Sequence, residues 1–275
     1  MVAPDGYDGA VLRAFGVTHK GRVRATNEDY FVIDERLRLC VVADGMGGHN
    51  AGEVAARMAV DAIADFVKQG HANPGETWPF GLDPALSEGG NLLRTAVHLA
   101  NVQILEAATT ADEYAGMGTT VVAAIITRDL AGNGSGDLLS VAHVGDSRLY
   151  VIAHDRIRQL THDDSWVATV LAQNPETDPA MLQHHPMRNA LTNVVGARPR
   201  VDVHIVEEAL TGGERLVLTT DGVHGVLDQR QLELIVGTAG DLARLPNDLV
   251  TTALERGSRD NCTAIVAEYV NDRQA

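Results

Sequence analysis

The sequence is short of aromatics, of cysteine and of positive charge. Phe, Trp and Tyr together make up 4% of its 275 residues. The core must therefore be packed from Val, Leu, Ile and Ala, and these occur in short runs such as TTVVAAIIT and RLVLTT that suit buried strands. Only two cysteines are present, Cys40 and Cys262, each inside an apolar strand-like segment. Two are too few for a disulfide framework and fit small buried hydrophobes in a reducing compartment. Lys and Arg number 22 against 37 Asp and Glu, a formal net charge of -15. That balance argues against a nucleic-acid partner, because phosphate backbones are held by positive surfaces. A phosphate-bearing substrate would be repelled at long range as well, so phosphate chemistry here needs local positive charge from metal ions or a well-placed arginine. No apolar run reaches the length of a membrane span, and the first residues, MVAPDGYDGAVLRAF, lack the charged and apolar regions of a signal peptide. The expectation is a soluble, cytoplasmic monomer with no membrane partner.

What is present points to a folded domain of ordinary make-up, with 45% hydrophobic and 21% charged residues. The length suits a single domain spanning 1–275. Strand-like segments fall at 12–18, 30–33, 37–43, 119–127, 138–144, 148–153, 201–206, 215–220 and 262–270. Helical periodicity covers 52–68, 92–108, 229–236 and 241–255. Helices cluster between groups of strands instead of alternating strictly with them, which predicts an α+β layered domain over a doubly wound parallel sheet. Residues 70–90, dense in Pro and Gly, read as a long surface loop, and 129–137 as a hairpin connection. The stretch 162–196 mixes a short helical pattern with turns and reads as a semi-independent flap.

One stretch, CVVADGMGGHNAG from Cys40 to Gly52, delivers a lone acid, Asp44, from a strand into a cluster of glycines. It is not a phosphate-binding P-loop. Gly47 and Gly52 have the right spacing, but Glu53 and Val54 stand where Lys and Ser or Thr would meet phosphate and magnesium. It is not a dinucleotide fingerprint, since Asn50 occupies the third glycine position. GDSRL at 145–149 lacks the closing glycine of a nucleophile elbow. Other acids sit in comparable places: Glu28 and Asp29 at a strand entrance, Asp146 in a turn, Asp221 at a strand end, and Asp260 just before a strand. Taken singly, each is most often a turn residue or helix cap. Their number in one domain favours a shared purpose, although spacing alone does not bring them together.

RVRATNED, VVADGMGGHNAGE, GMGTT, AHVGDSRLY, LTHDDS, HPMRNALT, VLTTDGV and RDNCTAIV, in this order, resemble the motifs of bacterial type 2C protein phosphatases, the metal-dependent PPM family. The resemblance runs from Phe15 to Tyr269. It implies a central antiparallel β-sandwich with helices on both outer faces, four layers in the order αββα, and a binuclear metal site at one end. It also implies roles for residues. Asp44 would bridge two ions, Asp221 and Asp260 would complete one of them, and the Gly45 carbonyl would join Asp44 on the other. Glu28 and Asp29 would act through water, Arg24 would bind phosphate, and Asp146 with Asp221 would hold a third, weaker ion. Oxygen donors of this kind suit Mn2+ or Mg2+. Two such ions add about +4 to the roughly -3 of three aspartates, leaving a locally positive site despite the global charge.

The activity implied is hydrolysis of phosphoserine and phosphothreonine in proteins by a metal-activated water, with a Ser/Thr kinase as the opposing partner. Two alternatives stand beside it, an inactive regulatory relative and a phosphatase of small phosphoesters. Met46 occupies the position at which some family members carry a proton-donating histidine, so the donor is unassigned. His49 reads as a helix-start or surface residue, His184 and His185 as a solvated turn, and Arg148 as a support for its loop.

Overall fold

The computed structural model describes residues 10–271 apart from 49–50, 73–77, 129–135, 155, 183–184 and 238–239. The apolar runs form two antiparallel sheets. One has the order β1 (Ala10–His19), β11 (Cys262–Asn271), β10 (Arg215–Thr219), β7 (Arg148–Ala153) and β8 (Arg156–Gln159). The other runs β2 (Asp29–Asp34), β3 (Leu39–Met46), β5 (Val121–Arg128), β6 (Asp137–Val144) and β9 (His204–Leu210), and the two-residue β4 (Gly118–Thr119) adds to β3.

Side chains alternate across a strand, so a strand without polar breaks must be covered on both faces. This is why the core runs are continuous. In β3, Cys40 and Val42 face β11 residues Ile265, Ala267 and Tyr269 in the layer between the sheets. Leu39, Val41 and Ala43 turn outward to α1 (Ala51–Ala72) and α2 (Glu88–Thr110). On the other outer face, Ala264 and Val266 of β11 and Val217 of β10 pack against α6 (Gln229–Val236) and α7 (Leu245–Glu255). The expected four layers are therefore all present. Both cysteines are buried and free. Among the described residues no helix is long and apolar enough to cross a membrane.

Several boundaries differ from the sequence reading. The segment read as a loop at 70–90 is partly helical: α1 runs to Ala72 and α2 starts at Glu88. Gly89 and Gly90, read as loop residues, lie in the first turn of α2, where a Cβ would meet Ser140 Oγ at 2.9 Å and Glu207 Oε1 at 2.5 Å respectively. The glycines let the helix start close to the sheet, and the Ser87 hydroxyl caps it by accepting from the Gly90 amide at 3.1 Å. The strand expected at 201–206 pairs only from His204, and β8 was not anticipated. The helix read at 241–255 is a short 3-10 turn, Leu242–Arg244, followed by α7. The hairpin connection falls largely on 129–135, outside the described residues, as do His49 and His184.

The stretch 162–196 contains α3 (Trp166–Gln173) and α4 (Pro179–Leu182). It is fastened at both ends. The Asp164 amide donates to the Gly145 carbonyl at 2.9 Å, and Thr119 and Val195 exchange backbone hydrogen bonds at 3.0 Å. Arg148 makes the loop contact expected of it, donating to both carboxylate oxygens of Asp163 at 2.8 and 2.6 Å.

At the other end of the sandwich the first and last strands lie side by side, Ala10 opposite Asn271. Between the sheets nearby, the fully buried Tyr269 donates to Asp137 Oδ2 at 2.6 Å, which also accepts from Arg38 at 3.3 Å. Tyr269→Phe removes one donor from a buried carboxylate and should cost about 1–3 kcal/mol. Chemical denaturation should show that loss.

Candidate metal centre

Asp44 owes its position to the last hydrogen bonds of β3. Its amide donates to Thr120 Oγ1 at 3.1 Å, and its carbonyl accepts from Thr119 Oγ1 and the Thr120 amide, both at 2.9 Å. It pairs across the sheet with Asp29. The next residue, Gly45, donates to the Glu28 carbonyl at 3.1 Å. A Cβ on Gly45 would sit 1.9 Å from the Gly52 carbonyl oxygen and 2.8 Å from that of Glu28. The glycines of the opening motif thus let the start of α1 rest directly on the end of β3.

The other sheet supplies Asp221 and Asp260. Asp221 is the first residue of the one-turn helix α5 (Asp221–His224) that ends β10, with Thr220 as its N-cap. Asp260 precedes β11 and accepts from the Asn261 amide at 2.9 Å and from Arg24 at 2.6 Å. Asp146 stands in the β6–β7 turn beside Gly145, whose φ of 92° favours glycine.

These residues meet. A pocket of about 240 Å³ is lined by Arg24, Glu28, Asp44, Gly45, Asp146, Asp221 and Asp260, with Met46 at its rim. Asp29 is not among the lining residues. It lies buried behind Asp44, where one carboxylate oxygen accepts from Thr220 and Thr263 at 2.9 and 2.7 Å and the other has no partner. Two residues that sequence reasoning did not single out hold the parts together. Asn261 donates to the carbonyls of Lys20 and Thr26, both at 2.9 Å, and accepts from the Glu28 amide at 2.8 Å, so it ties the Arg24 loop to β11. Thr120 shares a hydrogen bond of 2.8 Å with Ser147 and so joins the Asp44 strand to the Asp146 turn. Asn261 was quoted within RDNCTAIV, but nothing in its spacing marks it as a clamp.

Glu28, Asp44, Asp146, Asp221 and Asp260 share one opening with the single cation Arg24. Burial, reinforced by Asp29, Asp221, Asp146 and Asp260, pushes the Asp44 carboxyl well above the usual range. Burial first, then Asp221 and Asp163, raises Asp146 to about 7. Burial and Asp260 raise Asp221 to about 6 against the opposing pull of Arg24, and Asp29 is raised to about 7 chiefly by burial. Asp221 also keeps a buried carboxylate oxygen with no hydrogen-bond partner. Carboxylates so placed resist sharing the site as anions unless positive charge enters it. The donors are all oxygens, which suits a hard divalent ion. Among the described residues no three of these acids bring their oxygens within 4.8 Å of one another.

The comparisons with known proteins agree with this geometry. A family model described as protein phosphatase 2C matches residues 18–252. A serine/threonine phosphatase stp of Listeria welshimeri is 31% identical over 258 residues, covering 91% of this chain and 93% of its own. The solved serine/threonine phosphatase Stp1 of Staphylococcus aureus superposes with a TM-score of 0.79 at 30% identity, covering 98% of this chain and 99% of its own. The catalytic domain of the phosphatase PstP, solved in complex with two manganese ions, gives a TM-score of 0.77 at 27% identity, covering 95% of this chain and all of that one. With the matched family model spanning most of the polypeptide and the same layers and strand-end acids beneath it, the chain belongs to the protein phosphatase 2C family.

Proposed function

We propose that the chain is a protein-serine/threonine phosphatase that hydrolyses phosphoserine and phosphothreonine with two divalent cations held at the carboxylate pocket. The observation that carries this reading is the meeting of five acids from separate chain segments with one guanidinium at a single opening. The serine/threonine phosphatases among its relatives, one of them solved with two manganese ions, support the reaction class and the need for metal. In this reading Asp44, Asp221, Asp260 and the Gly45 carbonyl would hold the two ions, with Asp44 common to both, Asp221 and Asp260 serving one and Gly45 the other. Glu28 would act through water, as would the unpartnered oxygen of Asp29 from behind Asp44, and Asp146 with Asp221 would hold a weaker third ion. Either Mn2+ or Mg2+ suits this donor set.

When bound, the ions supply a Lewis acid that acidifies water and offsets charge on the phosphoryl oxygens. The chain's own residues do the rest. Arg24 is half exposed at its side chain and held from one side by Asp260, so further guanidinium donors remain to orient a phosphoryl oxygen. Asp29, buried behind the partly exposed Asp44, closes the floor of the pocket to bulk water. Met46 has no proton to give, and the donor to the leaving serine or threonine oxygen is a solvent molecule in this reading. The substrate class implies phosphorylated proteins and an opposing Ser/Thr kinase as partners of a single-domain, monomeric cytoplasmic enzyme.

The test is turnover of a phosphothreonine peptide and of an aryl phosphate, in Mn2+ and then with excess chelator. Both substrates should be hydrolysed with Mn2+, and both rates should fall to background on chelation. Peptide hydrolysis that survives chelation would reject the metal mechanism. Turnover of the aryl phosphate alone would instead assign the enzyme to small phosphoesters.

A further inference from the structure

A second group of metal-ligating side chains lies outside the carboxylate pocket and belongs to none of the roles above. His204 opens the edge strand β9 and pairs in register with His143 of β6. His162 and Asp164 come from the segment between β8 and α3. The ligand atoms of His162, Asp164 and His204 all lie within 4.8 Å of one another. His204 Nε2 is 3.0 Å from Asp164 Oδ1. The other carboxylate oxygen of Asp164 accepts from the Gly145 amide at 3.0 Å and from Asn193 Nδ2 at 2.8 Å, so the carboxylate is aimed and cannot swing away freely.

The third histidine supplies an independent observation. His143 is fully buried, and both its ring nitrogens are without a hydrogen-bond partner. Its ring lies 4.6 Å from that of His162 and 4.9 Å from that of His204, and the latter two are 4.3 Å apart. Burial, with His162 and His204 adding to it, holds His143 down to about 3, so the ring is neutral. Three imidazoles crowded together are an unfavourable way to fill a core with hydrocarbon, and this one leaves buried polar atoms unmet.

We propose that His162, Asp164 and His204 form a second cation site, for an imidazole-preferring ion of the Zn2+ class, separate from the oxygen-lined pocket. Two nitrogens and a carboxylate oxygen are a familiar zinc donor set, and metal–ligand bonds of about 2.0–2.2 Å bring tetrahedral donors to roughly 3.4 Å apart. The His204–Asp164 pair at 3.0 Å would open slightly, and the exposed His162, whose ligand atom is within 4.8 Å of both, would close in. Two protein nitrogens and one oxygen leave the fourth position to water. Mg2+ prefers oxygen and its own waters, so it does not compete here. Through the second oxygen of Asp164 a bound ion would also stiffen the Gly145 amide, next to Asp146 in the metal centre.

The test uses the full chain in excess Mg2+, which occupies the oxygen-lined pocket, with Zn2+ added and binding followed by calorimetry. Co2+ in place of Zn2+ reports its donors by colour, because imidazole ligation at low coordination number gives far stronger visible bands than six oxygens. Wild type should take up one equivalent of Zn2+, and His162→Ala and His204→Asn should each weaken that binding by about 10²-fold or more. His162→Ala changes an exposed residue and should keep its Mn2+-dependent peptide hydrolysis, which separates this site from the proposed phosphatase chemistry. Equal Zn2+ uptake by wild type and His162→Ala, or no uptake by wild type in excess Mg2+, would overturn the assignment.

Discussion

Replacing Asp44 by asparagine should lower metal-dependent turnover by about 10³-fold or more, roughly 4 kcal/mol, and at the same time make the metal-free protein harder to melt. The two effects have one cause. Asp44 is partly buried among Asp29, Asp146, Asp221 and Asp260, and its carboxyl is pushed well above the ordinary range. In the proposed function both ions would depend on it as a carboxylate. As a partly buried acid without ions it is a cost to the fold. Asparagine keeps the shape and the backbone bonds to Thr119 and Thr120 while removing the charge.

The pH dependence follows in sign. An acid whose folded pKa lies above its unfolded value binds a proton more tightly when folded, so its stabilising contribution is present at low pH and is lost as pH rises through the folded value. With Asp221 raised to about 6 and Asp29 and Asp146 raised to about 7, metal-free wild type should melt higher at pH 5.5 than at pH 7.5, by roughly 2–4 °C for each kcal/mol. Saturating Mn2+ should abolish that gradient, since the ions then do what protons did. Thermal denaturation with and without metal at both values checks this, and an Asp44→Asn protein that melts lower than metal-free wild type at pH 7.5 would contradict it.

Gly45→Ala should be nearly as damaging, for steric reasons. The added methyl meets two backbone carbonyl oxygens, of Gly52 at 1.9 Å and of Glu28 at 2.8 Å. Neither can rotate out of the way. Either the start of α1 lifts from the sheet or the end of β3 shifts, and the second displaces the Asp44 carboxylate and the Gly45 carbonyl together. Overpacking of this kind costs about 1–3 kcal/mol, and a displacement of about 1 Å at a reacting centre lowers turnover by roughly 10²-fold. Gly48→Ala is the control, because nothing lies within 4 Å of the Cβ it would add. Metal affinity, turnover and melting temperature should all fall for the first variant and stay unchanged for the second.

The acids were legible in the sequence because each closes or precedes a strand beside Gly, Asn or Thr, and because the stretches around them match a family. Their meeting in one pocket was legible only through that resemblance, since nothing in VLTTDGV by itself says that its end lies near that of CVVADG. Asn261 and Thr120 escaped notice because their work is done by buried side-chain hydrogen bonds between distant segments, which leave no periodic or compositional mark. The first turn of the helix that begins at Glu88 was missed, although its body at 92–108 was not, because Gly89 and Gly90 read locally as a loop, while the close approach to Ser140 and Glu207 that requires them is a tertiary fact. The four residues of β8 are too few for a period to show.

Asn271 sits across from Ala10, at the pole of the sandwich remote from the pocket. A tether, purification tag or fusion partner joined directly at either residue would therefore start from the same side, away from the opening where the acids meet. A short peptide bridging the two strands, with a cut made in a distant surface turn, offers a re-ordered chain whose chemistry should survive the rewiring.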